Sequence, residues 1–517
     1  MNKALALLCL TSSLLVGCKT TTISSLPISE DIMVSQIKET KSKRKYIEVD
    51  GNPFNFNGAQ IRIDWLLDVQ KESINDLEYY FQESQKLGIK MVELPIQWKD
   101  IEPREGAYDF RNLSKILSLA KKYNLKVEIL LFTINIGGMS GTIPDYIKND
   151  TDKYPQYKNT LNHPDALFFV QTNENLLKRE ALMVEALMNA IYDWSKQNNS
   201  NTVISIQVRN EPDLYAEKRI TEHELRKENG ELLTYEEAWE ETLYATEYIG
   251  KVVKASKYKV ITRVNLCCFN EDISYTNWQN VCSLSSIDLV GEDTYNSSIS
   301  FNKNIIIQMK ERLNSYPQIA ENTGHFINTA SLYLMTNMLG GGYSIYDLIT
   351  PSVITNSWGY YDWGILDNIT KQEKPAFALA KKMLDGINKA GPYFAITDSE
   401  DIAIFNVDED LPNQNKIQSI RTSKTQFDFK TEDGSLAYAI NNGDYIYLLS
   451  TEEANFKIQN STIENNYEIG YVKENGEFIS EDKGVYNQEL KAIPGLLYRF
   501  KVIENEKLNS NTIQSII

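Results

Sequence analysis

Thr202-Val203-Ile204-Ser205-Ile206-Gln207-Val208-Arg209-Asn210-Glu211-Pro212 is the stretch that decides the fold. Residues 202–208 are β-rich and read as a buried strand, which runs into a polar end at Arg209-Asn210-Glu211. On one side lies a long amphipathic helix at 177–194, on the other a second at 235–254. Outward from this unit the rhythm repeats. Short apolar strands are predicted at 60–63, 89–94, 126–131, 258–264, 287–290, 318–320 and 342–346. Helical spacing falls between them. In the first helix Leu77, Tyr80, Phe81, Ser84 and Leu87 share a face, Ser73 and Asp76 form a capping pair, and Gly88 is a stop. Further helices are predicted at 305–313 and 375–387. Eight strands alternating with helices over about 330 residues fit an α/β (β/α)₈ barrel with insertions better than an open doubly wound sheet. No GxGxxG opens a helix after the first strand and no GxxxxGK[ST] is present, so the marks of nucleotide binding are missing.

Beyond about Gly391 the texture changes. Alternating runs at 436–440, 445–449 and 496–502 are separated by turn clusters such as Asn441-Asn442-Gly443-Asp444. That pattern predicts a C-terminal β-sandwich over 391–517, following a barrel over 46–390.

The first residues carry a different signal. Lys3 precedes a short apolar run at 4–16, followed by Gly17 and Cys18. This predicts a signal peptide over 1–17. Leu15-Val16-Gly17-Cys18 resembles a bacterial lipobox, which implies lipidation at Cys18 and a lipid-anchored protein of the bacterial cell envelope. Lys19 is compatible with sorting to the outer membrane. Residues 18–45 are Thr/Ser/Lys-rich and read as a flexible tether. Of five cysteines, Cys9 leaves with the signal and Cys18 takes lipid, so Cys267, Cys268 and Cys282 imply no disulfide framework. Cys267-Cys268, at the end of the fifth strand, reads as core.

Composition narrows the function. The chain has 517 residues and a net charge of -17, so it lacks the basic surplus that nucleic-acid binding requires. Its three histidines, His163, His223 and His325, are scattered, which argues against a histidine-ligated metal. No metal or cofactor is expected.

Reacting groups of a barrel sit where strands meet the following loops. Those ends supply Glu93, Gln97, Trp98, Glu102, Asn210, Glu211, Glu292, Asp293, Tyr295, Glu321, Asn322 and His325. The eighth strand adds Tyr343 and Tyr346, and a later loop Trp358, Tyr361 and Trp363. Acids, amides and aromatics with few cations suit a neutral polyhydroxy ligand, an oligo- or polysaccharide. Two carboxylates across such a mouth cleave a glycosidic bond, one donating a proton and the other attacking. Glu211 is the expected acid/base and Glu321 the expected nucleophile. Tyr295 is expected to donate to Glu321 and keep it ionised. Asn210 is expected at a sugar hydroxyl. Glu93, His325, Trp98, Trp358 and Trp363 are candidate substrate contacts. Glu93 and Glu292 also compete with Glu321 or serve in structural ion pairs.

Two motifs carry a resemblance. Val49-Asp50-Gly51-Asn52-Pro53-Phe54, then Trp98-Lys99-Asp100-Ile101-Glu102-Pro103-Arg104-Glu105-Gly106-Ala107-Tyr108-Asp109-Phe110, resembles the opening of clan A glycoside hydrolases, nearest to β-galactosidase families 35 and 42. Gln207-Val208-Arg209-Asn210-Glu211 is similar to their acid/base strand, except that Arg209 stands where family 35 usually has Glu. Tyr361-Asp362-Trp363-Gly364 with Asp367 resembles a turn after their eighth strand. The resemblance spans about residues 46–390 and implies a retaining, galactosidase-like exo-glycosidase. An endo-β-glycanase of the same clan, or a glycan-binding lipoprotein without catalysis, are the alternatives.

Overall fold

The structure, a computed structural model, describes residues 31–134, 141–158, 167–216, 224–267, 269–407, 417–432 and 434–503. The predicted signal 1–17, Cys18, His163, His223 and Cys268 lie outside the described residues. Eight parallel strands close a barrel in sequence order. They are Asn57–Gln60, Met91–Gln97, Lys126–Phe132 and Val203–Asn210, then Ile261–Cys267, Leu289–Asp293, Gln318–Thr323 and Gly342–Tyr346. The first strand ends at Gln60, where sequence places its start, and Ile63 opens a short helix. Strands two and four to seven run past the predicted ends, because the polar residues that close an apolar run here are buried, facing the barrel's hollow or the surrounding helices and not solvent.

The helices lie outside. Leu77–Leu87 ends on left-handed Gly88, and the Ser73 N–H and hydroxyl both donate to Asp76 just before it. Tyr235–Ala255 opens with a capping box between Thr234 and Glu237. Helix Thr329–Leu339 has no sequence signature of this kind. Nearly every residue in it is buried, against helix Pro375–Ala390 and the start of the C-terminal sheets, so it has no polar face to set a period. Among the described residues no helix is long and apolar enough to cross a membrane.

Two register skips shape the barrel rim. Arg263 pairs with Gln207 and Val264 with Arg209, leaving Val208 as an extra residue in the fourth strand. Glu292 pairs with Ile319 and Asp293 with Glu321, leaving Ala320 extra in the seventh. Such bulges re-aim the side chains that follow. Arg209 turns outward to a bidentate pair with Glu180 of helix Glu174–Asn198, and Asn210 turns inward.

Residues 31–45, expected as tether, are folded. Ile32–Met33 pairs with Tyr258–Lys259, Ser35–Glu39 pairs with Lys45–Val49, and Ser35 Oγ donates to the Ile204 carbonyl. Arg44 is buried and donates to the carbonyls of Asn337, Met338, Phe394 and Ala395. A cation at the C-terminus of helix Thr329–Leu339 meets its last carbonyls and its dipole. Polar composition hid this, because the segment is held by backbone pairing, one arginine and a few scattered apolar side chains such as Val34, with no apolar period to reveal them.

The C-terminal region packs a six-stranded antiparallel sheet on a four-stranded one, as the alternating pattern predicts. Phe405, Phe427, Phe429, Phe456 and Phe500 fill the space between. The other face of the larger sheet lies on helix Pro375–Ala390, where Leu449 packs on Gly386 and Tyr438 Oη donates to the Gly386 carbonyl.

The Arg209–Glu180 pair is buried, with side-chain exposures of 4% and 0%. Replacing Arg209 by Met strands a buried carboxylate and is expected to destabilise the protein by about 3–5 kcal/mol in urea unfolding. The double variant Arg209→Met, Glu180→Leu is expected to recover most of that loss.

Candidate active site

Beneath the mouth, Arg263 of the fifth strand sits at 0% exposure inside the barrel. Its Nε lies 3.1 Å from Glu128 Oε1 and its Nη1 3.7 Å from Glu93 Oε1, and Nη2 donates to Gln207 Oε1 at 2.5 Å. Arg263, Asn265 and Cys267 alternate along one strand and so face one side. This arginine supports the acids above it.

Glu211 follows the fourth strand with φ 45° and ψ 49°, a left-handed backbone that costs a non-glycine residue about 1–3 kcal/mol. Asn265 Oδ1 holds it there by accepting the Glu211 N–H at 3.1 Å. The amide of Asn210 donates to Glu211 Oε2 at 3.4 Å, and Asn210 Oδ1 accepts from Gln207 Nε2 at 2.8 Å. Across the mouth, Glu321 of the seventh strand is 3% exposed. Tyr295 Oη donates to its Oε2 at 2.7 Å, and Gln60 Nε2 to its Oε1 at 3.3 Å. Burial pushes the Glu321 carboxyl up to about 7, and the Glu211 charge adds to this. The Tyr295 hydrogen bond, Arg263 and Arg62 act against it. The phenol expected to keep Glu321 ionised is in place, but burial outweighs it.

An aromatic wall rises beside Glu321. Tyr295 lies against Tyr346 and Trp363, at ring-centroid distances of 5.7 Å and 5.8 Å. Arg62 stacks over Trp65 at 3.3 Å, donates to Tyr346 Oη at 3.0 Å and pairs with Asp64. Trp358 packs edge-on to Trp65 and is 57% exposed. His325 is exposed on the loop after the seventh strand, its ring 6.4 Å from that of Trp363.

Two candidate substrate contacts are corrected. Trp98 has 0% exposure and its Nε1 donates to Glu102 Oε2 at 3.0 Å. Glu102 also accepts the Gly106 N–H and pairs with Arg179, which in turn meets Tyr108. Trp98 and Glu102 are therefore the buried core of a structural knot, and the Trp98 ring has no face left for a ligand. Glu93, also at 0% exposure, is shut inside the barrel near Arg263. Glu292 faces outward, where Trp278 Nε1 donates to it at 2.7 Å.

Sequence reading placed Asp293 at a strand end without giving it a role, and did not assign Asn265, Gln60, Arg62 or Cys267 to the site. The signal was available for the fifth strand, where polar residues recur at every second position of a buried segment. Glu211, Cys267 and Asp293 each place a donor atom within 4.8 Å of the others, a metal-like grouping among the described residues. Its surroundings do not suit a cation. Amide N–H groups of Asn265 and Asn210 already point at Asp293 and Glu211, and the positive Arg263 lies close enough to act on Asp293. The grouping is a carboxyl–carboxyl–thiol cluster.

Comparison with known proteins follows this geometry. Residues 70–249 match the family-42 glycoside hydrolase model described as beta-galactosidase. The chain resembles the clan A glycoside hydrolases. Residues 242–412 match a domain of unknown function, DUF4978, so the clan-like match covers strands two to four and the other covers strands five to eight. Among solved structures, the chain is similar to an exo-beta-1,4-mannosidase from Opitutaceae bacterium strain TAV5. That pair has 14% identity and a TM-score of 0.46, over 67% of this chain and 62% of the mannosidase. It is similar to an endo-1,4-beta-mannanase from Rhizomucor miehei at 14% identity, TM-score 0.47, over 67% of this chain and 99% of that one. A beta-glucosidase from Pyrococcus furiosus matches at 13% identity and TM-score 0.45, over 60% of this chain and 83% of that one. The chain thus spans under two thirds of the mannosidase's length.

The buried carboxyls set a pH dependence. Burial raises Glu93 to about 8, Asp347 to about 7 and Glu321 to about 7, against about 4 in an unfolded chain. Between those values the native state binds more protons than the unfolded one, so stability falls as pH rises. Thermal unfolding followed by circular dichroism is expected to give a higher Tm at about pH 5 than at about pH 8. An equal or higher Tm at the upper pH contradicts these assignments.

Proposed function

We propose that the protein is a retaining β-glycosidase, galactosidase-like and acting from a chain end, with Glu321 as nucleophile and Glu211 as acid/base. One observation supports this above the rest. A buried carboxyl on the seventh strand takes a phenol hydrogen bond at 2.7 Å while feeling the charge of the carboxyl that follows the fourth strand. In a retaining mechanism the ionised nucleophile attacks the anomeric carbon, and the other acid first protonates the leaving oxygen and then deprotonates water. Tyr295, Gln60 and the nearby guanidinium groups favour the ionised form of Glu321. The left-handed turn at Glu211 carries its carboxyl off the strand toward the leaving group. Trp363, Trp358 and His325 line the rim as sugar contacts, and Asn210 is within reach of a hydroxyl.

Turnover of aryl β-glycosides tests the reading. Glu211→Gln is expected to lower kcat/KM by about 10²–10⁴-fold for poor leaving groups and to spare kcat/KM for a dinitrophenyl glycoside, whose departure needs no proton, while kcat falls for both because water loses its base. Glu321→Gln is expected to abolish turnover of both. Because burial raises Glu321 to about 7, the acidic limb of kcat/KM is expected near that pH. Equal loss of kcat/KM for good and poor leaving groups in Glu211→Gln contradicts its role as acid.

The same proposal includes attachment to the cell envelope through lipid on Cys18, supported by the Leu15-Val16-Gly17-Cys18 motif. Cys18→Ser is expected to move the protein from the membrane fraction to the soluble one; an unchanged distribution contradicts anchoring.

A further inference from the structure

Asp293 ends the sixth strand at 0% exposure, paired in register with Glu321. Its Oδ2 accepts from Asn265 Nδ2 at 2.6 Å, whereas its buried Oδ1 has no hydrogen-bond partner among the described residues. The same Asn265 side chain accepts the Glu211 N–H through its other end. The two carboxyls and the Cys267 thiol lie within 4.8 Å of one another. Acids act on Asp293 from several sides: Glu211 from the loop after strand four, Glu321 from strand seven and, from the outer face of its own strand six, Glu292. Tyr295 lies close by on the following loop, and Arg263 of strand five is the cation acting on Asp293. Tyr360 also faces Glu211 and Glu321. A second full negative charge at Asp293, cut off from water and with one oxygen unpaired, is costly.

We propose that Asp293 and Glu211 share one proton across neutral pH, making Asp293 a positioning residue for the acid/base. Asp293 fixes the Asn265 amide, Asn265 fixes the Glu211 backbone, and the shared proton remains available for a leaving group to higher pH than a lone glutamate allows. Two carboxylates in one site lose their protons in two steps that belong to the pair, the second of them raised. Burial, followed by the charges of Glu321 and Glu211, lifts the Asp293 carboxyl well above its ordinary range, in the same direction. The proposal rests on Glu211 being the acid.

The test compares the full chain with Asp293→Asn, which keeps an oxygen to accept from Asn265. On an aryl β-glycoside with a poor leaving group, the basic limb of kcat/KM is expected to move down by about one pH unit or more. A lower plateau with unmoved limbs indicates a purely structural residue and overturns the proposal. So does activity that chelator abolishes and a divalent cation restores, because a cation then holds the place of the proton. Difference infrared spectroscopy adds a readout independent of turnover. Glu93 and the other buried acids give a common protonated-carboxyl background. Over it, the spectrum of the unmodified protein minus that of Asp293→Asn, taken between their two basic limbs, is expected to hold one further protonated-carboxyl band, and its absence overturns the pair. The band without hydrolysis of any aryl β-glycoside supports the proton-sharing pair and refutes the glycosidase reading instead.

Discussion

Two extra residues, Val208 and Ala320, decide which way the acids of this barrel point. Side chains alternate along a strand, so a skip of one residue exchanges the faces of everything beyond it. Beyond Val208, Arg209 is sent out to Glu180 and Asn210 is brought in toward Gln207 and Asn265. Beyond Ala320, Glu321 lies inward beside Asp293, with Gln60 and Tyr295 on its carboxylate. Both skips are anchored on the outer side, by the Arg209–Glu180 pair and by the Trp278–Glu292 hydrogen bond. The mouth depends on contacts made behind it.

The inward-facing layer is electrostatically expensive. Glu93, Glu128, Asp293 and Glu321 all lie in or above one closed sheet, with Arg263 as the cation threaded among them. Their carboxyls are displaced upward by burial, so the interior holds protons at neutral pH. A protein that buries acids in this way gives up stability for a site whose protons move at the pH of work, a pattern that marks functional sites more often than structural ones.

Much of this was legible in the sequence. The βα rhythm gave eight strands in the right order, and the alternating runs after Gly391 gave the antiparallel sheets. Glu211, Glu321 and Tyr295 were picked from strand ends, and the structure places all three around one mouth, since apolar runs followed by acids are local features. What stayed hidden was relational. Trp98 looks like a rim aromatic until Glu102, Gly106 and Arg179 are seen closing over it. Arg209 looks like an oddity in a motif until the Val208 skip turns it outward. Arg44 sits in a polar stretch that reads as tether, and only its four carbonyl partners, about three hundred residues away in sequence, show why the segment is ordered. Asp293 gains its meaning from Asn265, a neighbour on another strand.

The account stands on Glu321 being the group that bonds to sugar. A 2-deoxy-2-fluoro β-glycoside with a good leaving group, incubated with the full chain and followed by peptide mass spectrometry, reads this directly. The account predicts a fluorosugar adduct on Glu321 that accumulates with loss of activity and disappears as activity returns. Label on Glu93, on Asp293 or on Glu211 in its place, or turnover that leaves no adduct and inverts the anomeric centre, would contradict it.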